Sequence, residues 1–259
     1  MRSTWIFYRK EMLDMSRSFK LIWIPIVFAI LGITQLIISV FMPEILEMSG
    51  GVPPEMLSLY ETPSAAMVMV QVLSQYSTMG VLILVLAGMN SVSGERHGGT
   101  AELIMVRPIS SFSIMIAKWF AQCTQLLIAF GFGYIASFYY TYQMIGSLSW
   151  TSGLASFGLY GLWLILAMTI TLLFSTILRG AGAAFVTLAI LALLSLLSSL
   201  LPTWFTWSPA RLSSFAAEVL IGNTLSVSSV IICCLITVGI IVVSLLSAAR
   251  LLQKRVLPN

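Results

Sequence analysis

The sequence predicts an all-α integral membrane protein with six transmembrane helices. The prediction rests on the amino-acid composition and on the spacing of the charged residues. Hydrophobic residues make up 59% of the chain and charged residues 8%, and the mean hydropathy is +1.00. Soluble domains carry about 25% charged residues. Long runs without Asp, Glu, Lys or Arg cover 21–43, 62–94, 119–178, 180–210 and 219–249. Because about 20 apolar residues cross a bilayer and lipid cannot satisfy exposed backbone groups, these runs predict helical spans.

The spans follow in order from these runs. The run 119–178 is long enough for two crossings, with a turn near 143–152. We expect the spans at 21–42, 65–90, 115–140, 153–178, 181–201 and 225–249. The chain 1–259 then forms a single transmembrane domain with extracellular loops at 43–64 and 202–224. The first apolar run is longer than the core of a signal peptide, so we expect a retained anchor.

The basic residues predict the orientation. Cytoplasmic loops retain Lys and Arg, and only Arg211 falls on the opposite side. The other twelve of thirteen are Arg2, Arg9, Lys10, Arg17, Lys20, Arg96, Arg107, Lys118, Arg179, Arg250, Lys254 and Arg255. We therefore expect both termini in the cytoplasm. We also expect a multi-pass protein of the plasma membrane, bacterial in origin. The net charge of +4 reflects this topology, and no nucleic-acid partner is expected.

Residues 1–20 precede the first span and mix aromatic, apolar and charged side chains. Trp5, Tyr8, Met12 and Met15 recur at spacings of three to four residues, which predicts a helix lying in the cytoplasmic membrane interface. The alternative is a basic flank that only fixes the orientation of the first span.

Several chemistries have no signature in the sequence. The chain has no GxxxxGK[ST] phosphate loop, no HExxH and no CxxC, and its single histidine is His97. We expect no catalytic, cofactor or metal site. No charged residue falls in the middle of a predicted span, whereas ion-coupled carriers commonly place ionisable residues there. If the protein moves a solute uphill, its energy should come from another chain.

The loop 91–114 is the most densely charged interior segment, and it contains Glu95, Arg96, His97, Glu102 and Arg107. Gly98 and Gly99 permit a sharp change of direction. Thr100 can cap a following helix, and Pro108 ends it. Between them, Leu103, Ile104 and Met105 form an apolar surface. The pattern predicts a short surface helix between the second and third spans.

This loop, with the N-terminal helix and the six spans, resembles the integral-membrane subunits of ABC-2 type ABC transporters. Those subunits typically carry a related charged segment in the first cytoplasmic loop and a lysine at the start of the next span. The matching residues are Glu95, Arg96, Gly99, Thr100, Glu102, Leu103, Pro108 and Lys118. Arg107 departs from the family, which often has an apolar residue before the proline.

The resemblance implies that the loop is a coupling helix. It would fit a groove on a separate cytoplasmic ABC ATPase that binds the ATP and Mg, with no cofactor in this chain. Glu95, Arg96 and Glu102 would orient the ATPase, and Leu103, Ile104 and Met105 would fill its groove after the turn at Gly98-Gly99. A second permease, identical or related, would complete the transporter.

Export is the usual direction in this family, so the expected function is ATP-driven export of a hydrophobic or amphipathic solute. Three alternatives remain. In the first, the charged loop is only a solvated turn without a partner. In the second, the protein is a non-transporting scaffold for a cytoplasmic regulator. In the third, it is a channel or carrier that works without ATP.

Polar residues within the spans are candidates for lining a transport pathway. Spacings of three and four residues place Gln71, Gln75 and Thr78 on one face of the second span and Gln122 with Gln125 on one face of the third. Ser195 and Ser198 fall in the fifth. Helix–helix hydrogen bonding is the commoner use of such residues.

Overall fold

The computed structural model describes residues 2–49, 63–97, 110–201 and 204–256. Within these ranges every regular element is a helix, and six helical stretches are long and apolar enough to cross a membrane. The predicted all-α fold with six spans is confirmed. The direction in which the spans cross stays a prediction.

The helices follow the predicted order. An N-terminal helix, α1, covers Arg2–Arg17 and precedes span 1, which is α2 (Lys20–Ser49). Span 2 consists of α3 (Ala65–Gln75), a π-helical turn (Tyr76–Gly80), α4 (Val81–Gly88) and α5 (Ser93–His97). Spans 3 to 6 are α6 (Ser111–Met144), α7 (Trp150–Ile177), α8 (Gly180–Leu200) and α10 (Val227–Val256), with α9 (Arg211–Ile221) between the last two.

Span 3 begins earlier than its apolar run predicts. The Ser110 hydroxyl accepts a hydrogen bond from the Ser113 backbone N–H at 3.2 Å and caps the helix. The helix then continues to Met144. Hydropathy locates the part of a helix that crosses lipid, whereas capping residues set where the helix begins. The helix of span 3 therefore begins four residues before the predicted crossing 115–140, on the side that carries the charged loop.

The segment 202–224, which the sequence predicts as a loop, contains the helix α9. Its buried face consists of Leu212, Phe215, Ala216 and Leu220, and it packs against span 4 and α3. Gly222 ends the helix with a φ of 84°, which favours glycine. The spacing of the apolar residues is helical, so the sequence does contain this signal.

Spans 1, 2 and 3 meet around three fully buried aromatic residues, Phe28, Tyr76 and Phe130. The Tyr76 ring centroid lies 5.1 Å from that of Phe28 and 5.9 Å from that of Phe130. The Tyr76 hydroxyl donates to the Phe28 carbonyl at 2.9 Å, so the buried phenol is satisfied. These contacts hold the three spans together as the support on which α1 lies.

Cysteine labelling tests the predicted orientation. After the native cysteines are replaced by alanine, we expect Asn223→Cys to react from outside the cell with a membrane-impermeant maleimide, and Ser110→Cys to react only after the membrane is opened. Both positions are exposed, and the basic residues predict that they lie on opposite sides. Labelling of Ser110→Cys in intact cells would contradict the predicted orientation.

Candidate functional site

Helix α1 lies across the start of span 3 and also contacts span 1. The hydroxyls of Tyr8 and Thr124 are 3.1 Å apart and hydrogen-bonded. Trp5 stacks on Tyr8 with ring centroids 5.4 Å apart and remains exposed. The predicted N-terminal helix is therefore present, and its exposed aromatic residue is suited to a membrane interface. Its position in that interface stays a prediction.

Four charged side chains from three elements form an ion-pair cluster: Lys10 and Glu11 of α1, Glu95 at the end of span 2, and Lys118 of span 3. The Lys118 Nζ lies 2.8 Å from Glu11 Oε1 and 2.9 Å from Glu95 Oε2. Lys10 pairs with Glu95 and, at 3.1 Å, with Glu11. Each lysine thus contacts both glutamates, and this cluster joins the N-terminal helix to the start of the charged loop.

Burial makes the cluster sensitive to the loss of any charge. The Lys118 side chain is 2% exposed and that of Glu11 is 9% exposed. Lys118 also donates to the Ser91 carbonyl at 3.0 Å. Removing one partner of a buried ion pair leaves an uncompensated charge, which destabilises more than the intact pair stabilises. The cluster therefore favours one position of the loop end relative to α1.

Lys10 has the most exposed side chain of the cluster. Burial lowers the pKa of its ammonium group, but the hydrogen bond to Glu95 and the negative charges of Glu11 and Glu95 raise it more, so the net pKa lies above its ordinary value. Asp14, one turn along α1, lies 3.2 Å from the Lys10 Nζ. Lys10 is therefore charged at neutral pH and keeps the cluster balanced.

The end of span 2 is also attached to span 4. Ser175 Oγ accepts hydrogen bonds from the backbone N–H groups of Val92 and Ser93, each at 3.1 Å, and donates to the Met89 carbonyl at 2.7 Å. Arg96 donates from Nη1 to the Thr176 carbonyl at 2.6 Å. The start of the charged loop thus contacts α1, span 3 and span 4.

A cavity of about 650 Å³ lies beside the cluster, between α1 and the adjoining ends of spans 1, 2 and 3. Its wall includes Glu95 near the charged loop and Gln122 and Gln125 deeper in span 3. Both glutamines are 2% exposed, yet Gln122 Oε1, Gln122 Nε2 and Gln125 Nε2 have no hydrogen-bond partner among the described residues. Buried polar atoms normally have partners.

Comparison with known proteins gives the family. The family model described as ABC-2 family transporter protein matches residues 5–213. The chain belongs to the ABC-2 transporter family. The uncharacterized transmembrane protein YxlG of Bacillus subtilis (strain 168) is 36% identical over 214 residues, which cover 82% of this chain and 83% of that protein. The chain is thus a membrane permease subunit of an ABC transporter and a multi-pass plasma membrane protein.

Most of the residues expected to couple this ABC-2 permease to an ATPase lie outside the described residues. They are Gly98, Gly99, Thr100, Glu102, Leu103, Ile104, Met105 and Pro108. The structure describes Glu95 and Arg96 at the start of the loop. Because Glu95 pairs with Lys10 and Lys118, and Arg96 binds the end of span 4, both have structural partners within the permease. Their contact with an ATPase stays a prediction.

The candidate pathway residues of the permease do not lie together. Gln71 accepts hydrogen bonds from Ser39 Oγ at 2.8 Å and Gln35 Nε2 at 3.2 Å, and so joins spans 1 and 2. Gln75 is half-buried, and Thr78 is exposed within the π-helical turn. Ser195 is exposed on span 5 and Ser198 is buried. Gln122 and Gln125 both line the cavity beside the ion-pair cluster.

Sequence reasoning missed the role of Lys10 and Glu11. The sequence predicts only an interfacial helix or a basic flank for residues 1–20, whereas the structure shows that Glu11 is buried and binds Lys118, 107 positions away in the sequence. Two signals were available: Glu11 is one of only nine acidic residues, and Lys118 belongs to the family resemblance. Neither feature shows that Glu11 and Lys118 are partners.

Proposed function

We propose that this permease exports a hydrophobic or amphipathic solute and that a separate cytoplasmic ABC ATPase drives it by docking on the loop 94–108. Family membership supports the role of permease. Export, the solute class and the docking position are the proposal. ATP and Mg belong to the ATPase, and this chain binds no cofactor.

The attachment of the loop end to three other elements is the observation that favours this function. Glu95 contacts Lys10 of α1 and Lys118 of span 3 through charge pairs, and Arg96 contacts span 4. A force applied to the loop would therefore act on all of these elements together. Such a connection is what an ATPase needs in order to convert its own closure into movement of the spans.

A second permease, identical or related, would complete the pathway. The spans differ in how many residues of their apolar 18-residue core are buried within the protein. This share is 61% in each of spans 3 and 4 but 33% in span 1, 28% in span 5 and 22% in span 6. Spans 1, 5 and 6 thus present the apolar faces available to lipid or to another permease. Gln71, Gln75, Thr78, Ser195 and Ser198 remain candidates for a pathway that forms only with both copies.

Affinity purification in mild detergent tests the docking position. We expect the tagged chain to retain a stoichiometric ATPase, and Glu102→Lys or Leu103→Asp to reduce its recovery roughly tenfold or more, because a reversed or buried charge opposes the partner surface. Glu95 is unsuitable for this test, since its substitution also breaks the internal cluster. The matched control is Glu44→Lys, which reverses an exposed charge at the far end of span 1.

The results separate the proposed function from its alternatives. Retention of the ATPase in both loop variants would remove the docking assignment. Recovery of the wild-type chain with a regulator that lacks ATPase activity would favour the scaffold. Solute transport by the reconstituted chain alone would favour the channel or ATP-independent carrier.

A further inference from the structure

One face of helix α1 is left exposed by the way the helix packs on the bundle. The opposite face holds Tyr8, bonded to Thr124, and Glu11, paired with Lys118. The large side chains on the exposed face are Trp5, Ile6, Arg9, Leu13 and Arg17, and we call them the arginine face. Four of them recur every four residues, starting at Trp5, so apolar and basic side chains alternate along one side of the helix.

The arginine face carries positive charge that no described carboxylate neutralises. Glu11 and Asp14, the acidic residues of α1, both pair with Lys10, at 3.1 and 3.2 Å. Neither Arg9 nor Arg17 forms an ion pair with a described residue, and both are exposed. The ion-pair cluster thus takes up the negative charge of the helix and leaves two guanidinium groups available to an anion.

The apolar side chains of the arginine face indicate which anion it suits. Trp5, Ile6 and Leu13 are 64%, 63% and 52% exposed. Water disfavours this apolar surface, and lipid hydrocarbon disfavours two charged arginines. The head-group region of a bilayer accepts both, because apolar side chains enter the upper part of the lipid chains while arginine binds phosphate. A small soluble anion would leave the three apolar side chains in water.

The connection of α1 to span 1 keeps the arginine face at the level of the head groups. Only two residues, Ser18 and Phe19, separate the two helices, and Phe19 is exposed. Because span 1 enters lipid directly after them, α1 cannot move far from the membrane surface. The pairing of Glu11 with Lys118 holds the helix against span 3 and so fixes which face points away from the bundle.

We propose that the arginine face of α1 binds anionic phospholipids, with the two guanidinium groups on lipid phosphates and the three apolar side chains among the upper parts of the lipid chains. A zwitterionic lipid also has a phosphate, but its cationic group opposes the arginines. The bound lipid contacts the helix that fixes the start of the charged loop through Lys10 and Glu95. The proposal requires neither an ATPase nor a transported solute.

Fluorescence from a label on α1 tests the proposal in the full chain. With the native cysteines changed to alanine, Ser16→Cys places a thiol at an exposed position beside Arg17 and outside the arginine face. The thiol carries a nitrobenzoxadiazole group, whose emission rises when water leaves it. Protein in dodecyl maltoside micelles, whose head groups are uncharged, is titrated with dioctanoyl phosphatidylglycerol, dioctanoyl phosphatidylcholine or free glycerol phosphate.

We expect phosphatidylglycerol to raise the emission saturably, at a half-saturating concentration roughly tenfold or more below that of phosphatidylcholine, with little effect of glycerol phosphate. Arg9→Gln/Arg17→Gln should remove this preference, and each single variant should weaken it roughly fivefold. The matched control is Arg250→Gln/Lys254→Gln, which removes two exposed positive charges near the end of span 6 and should keep the preference. Thermal unfolding and the elution volume on gel filtration verify that each variant is folded.

Five results would overturn the proposal. Equal half-saturation by phosphatidylcholine would remove the selection for an anionic lipid, and an equal response to glycerol phosphate would identify a site for free phosphate. A preference that persists in Arg9→Gln/Arg17→Gln would place the lipid elsewhere, and an equal loss in the control would attribute it to net charge alone. No response to either lipid would show that the face meets only water. None of these results bears on whether an ATPase docks on the loop.

Discussion

Replacement of Lys118 by methionine should lower the free energy of unfolding by about 3–5 kcal/mol, the cost of removing one partner from a buried ion pair. Methionine has a similar length but no charge, and the Lys118 position is 2% exposed. Glu11 and Glu95 would lose a lysine that lies within 3 Å of both. Thermal unfolding in detergent and the amount of protein inserted in the membrane measure the effect.

Two further variants make this prediction specific. Lys254→Met changes an exposed lysine near the end of span 6 and should leave stability within about 0.5 kcal/mol. Lys118→Met leaves one excess negative charge in the cluster, because Lys10 alone then faces Glu11 and Glu95. Adding Glu11→Gln and Glu95→Gln removes both carboxylate charges, leaves Lys10 beside Asp14 and should restore part of the lost stability. Wild-type stability of Lys118→Met, or no recovery in the triple variant, would show that the cluster does not stabilise the fold.

In the proposed function, the residues that stabilise the cluster are also those that would couple the loop to the spans. Glu95 lies two residues before the described end of span 2, within the charged loop, and its partners lie on α1 and span 3. Because the loop end is fastened by charge pairs, a movement of the loop would either carry these elements with it or break the pairs. In the proposed function the first outcome transmits the closure of the ATPase to the spans.

The spans could be predicted because bilayer thickness sets a minimum length for an apolar run. Run length does not determine which face of each helix meets which neighbour. The sequence identifies Glu95 and Lys118 separately, through their resemblance to a family motif. Their pairing depends on how spans 2 and 3 pack. The addition of Lys10 and Glu11 depends on α1 lying across span 3. No local pattern specifies either arrangement.

The π-helical turn in span 2 is a second reason why the sequence does not predict which residues share a face. The prediction that Gln71, Gln75 and Thr78 share a face assumed 3.6 residues per turn along all of span 2. Residues Tyr76–Gly80 have the wider π geometry, which changes the rotation between Gln75 and Thr78. Nothing in the apolar composition of this span signals the turn. Gln71 contacts span 1 through Gln35 and Ser39, while Thr78 donates to carbonyls of its own helix.

Replacement of Gly133 by alanine should destabilise the permease by about 1–3 kcal/mol, the usual cost of overpacking a filled core. A Cβ at this position would lie 2.8 Å from the Phe28 backbone carbon and 2.8 Å from the Tyr76 hydroxyl oxygen. The backbone of span 1 cannot yield as a flexible side chain does, and the Tyr76 hydroxyl is held by its bond to the Phe28 carbonyl. Spans 1 and 3 would have to separate.

Gly158 provides the matched control, because an added Cβ there meets no described atom within 4 Å. Gly158→Ala keeps the same chemical change within a span and should be neutral or stabilising by up to about 1 kcal/mol, since alanine is the better helix former. Thermal unfolding of both variants in the same detergent measures the difference. If Gly133→Ala were as stable as Gly158→Ala, the close approach of spans 1 and 3 would not be required for the fold. A lower stability confined to Gly133→Ala would show that the close contact of spans 1 and 3, rather than helix propensity, sets the effect of the substitution.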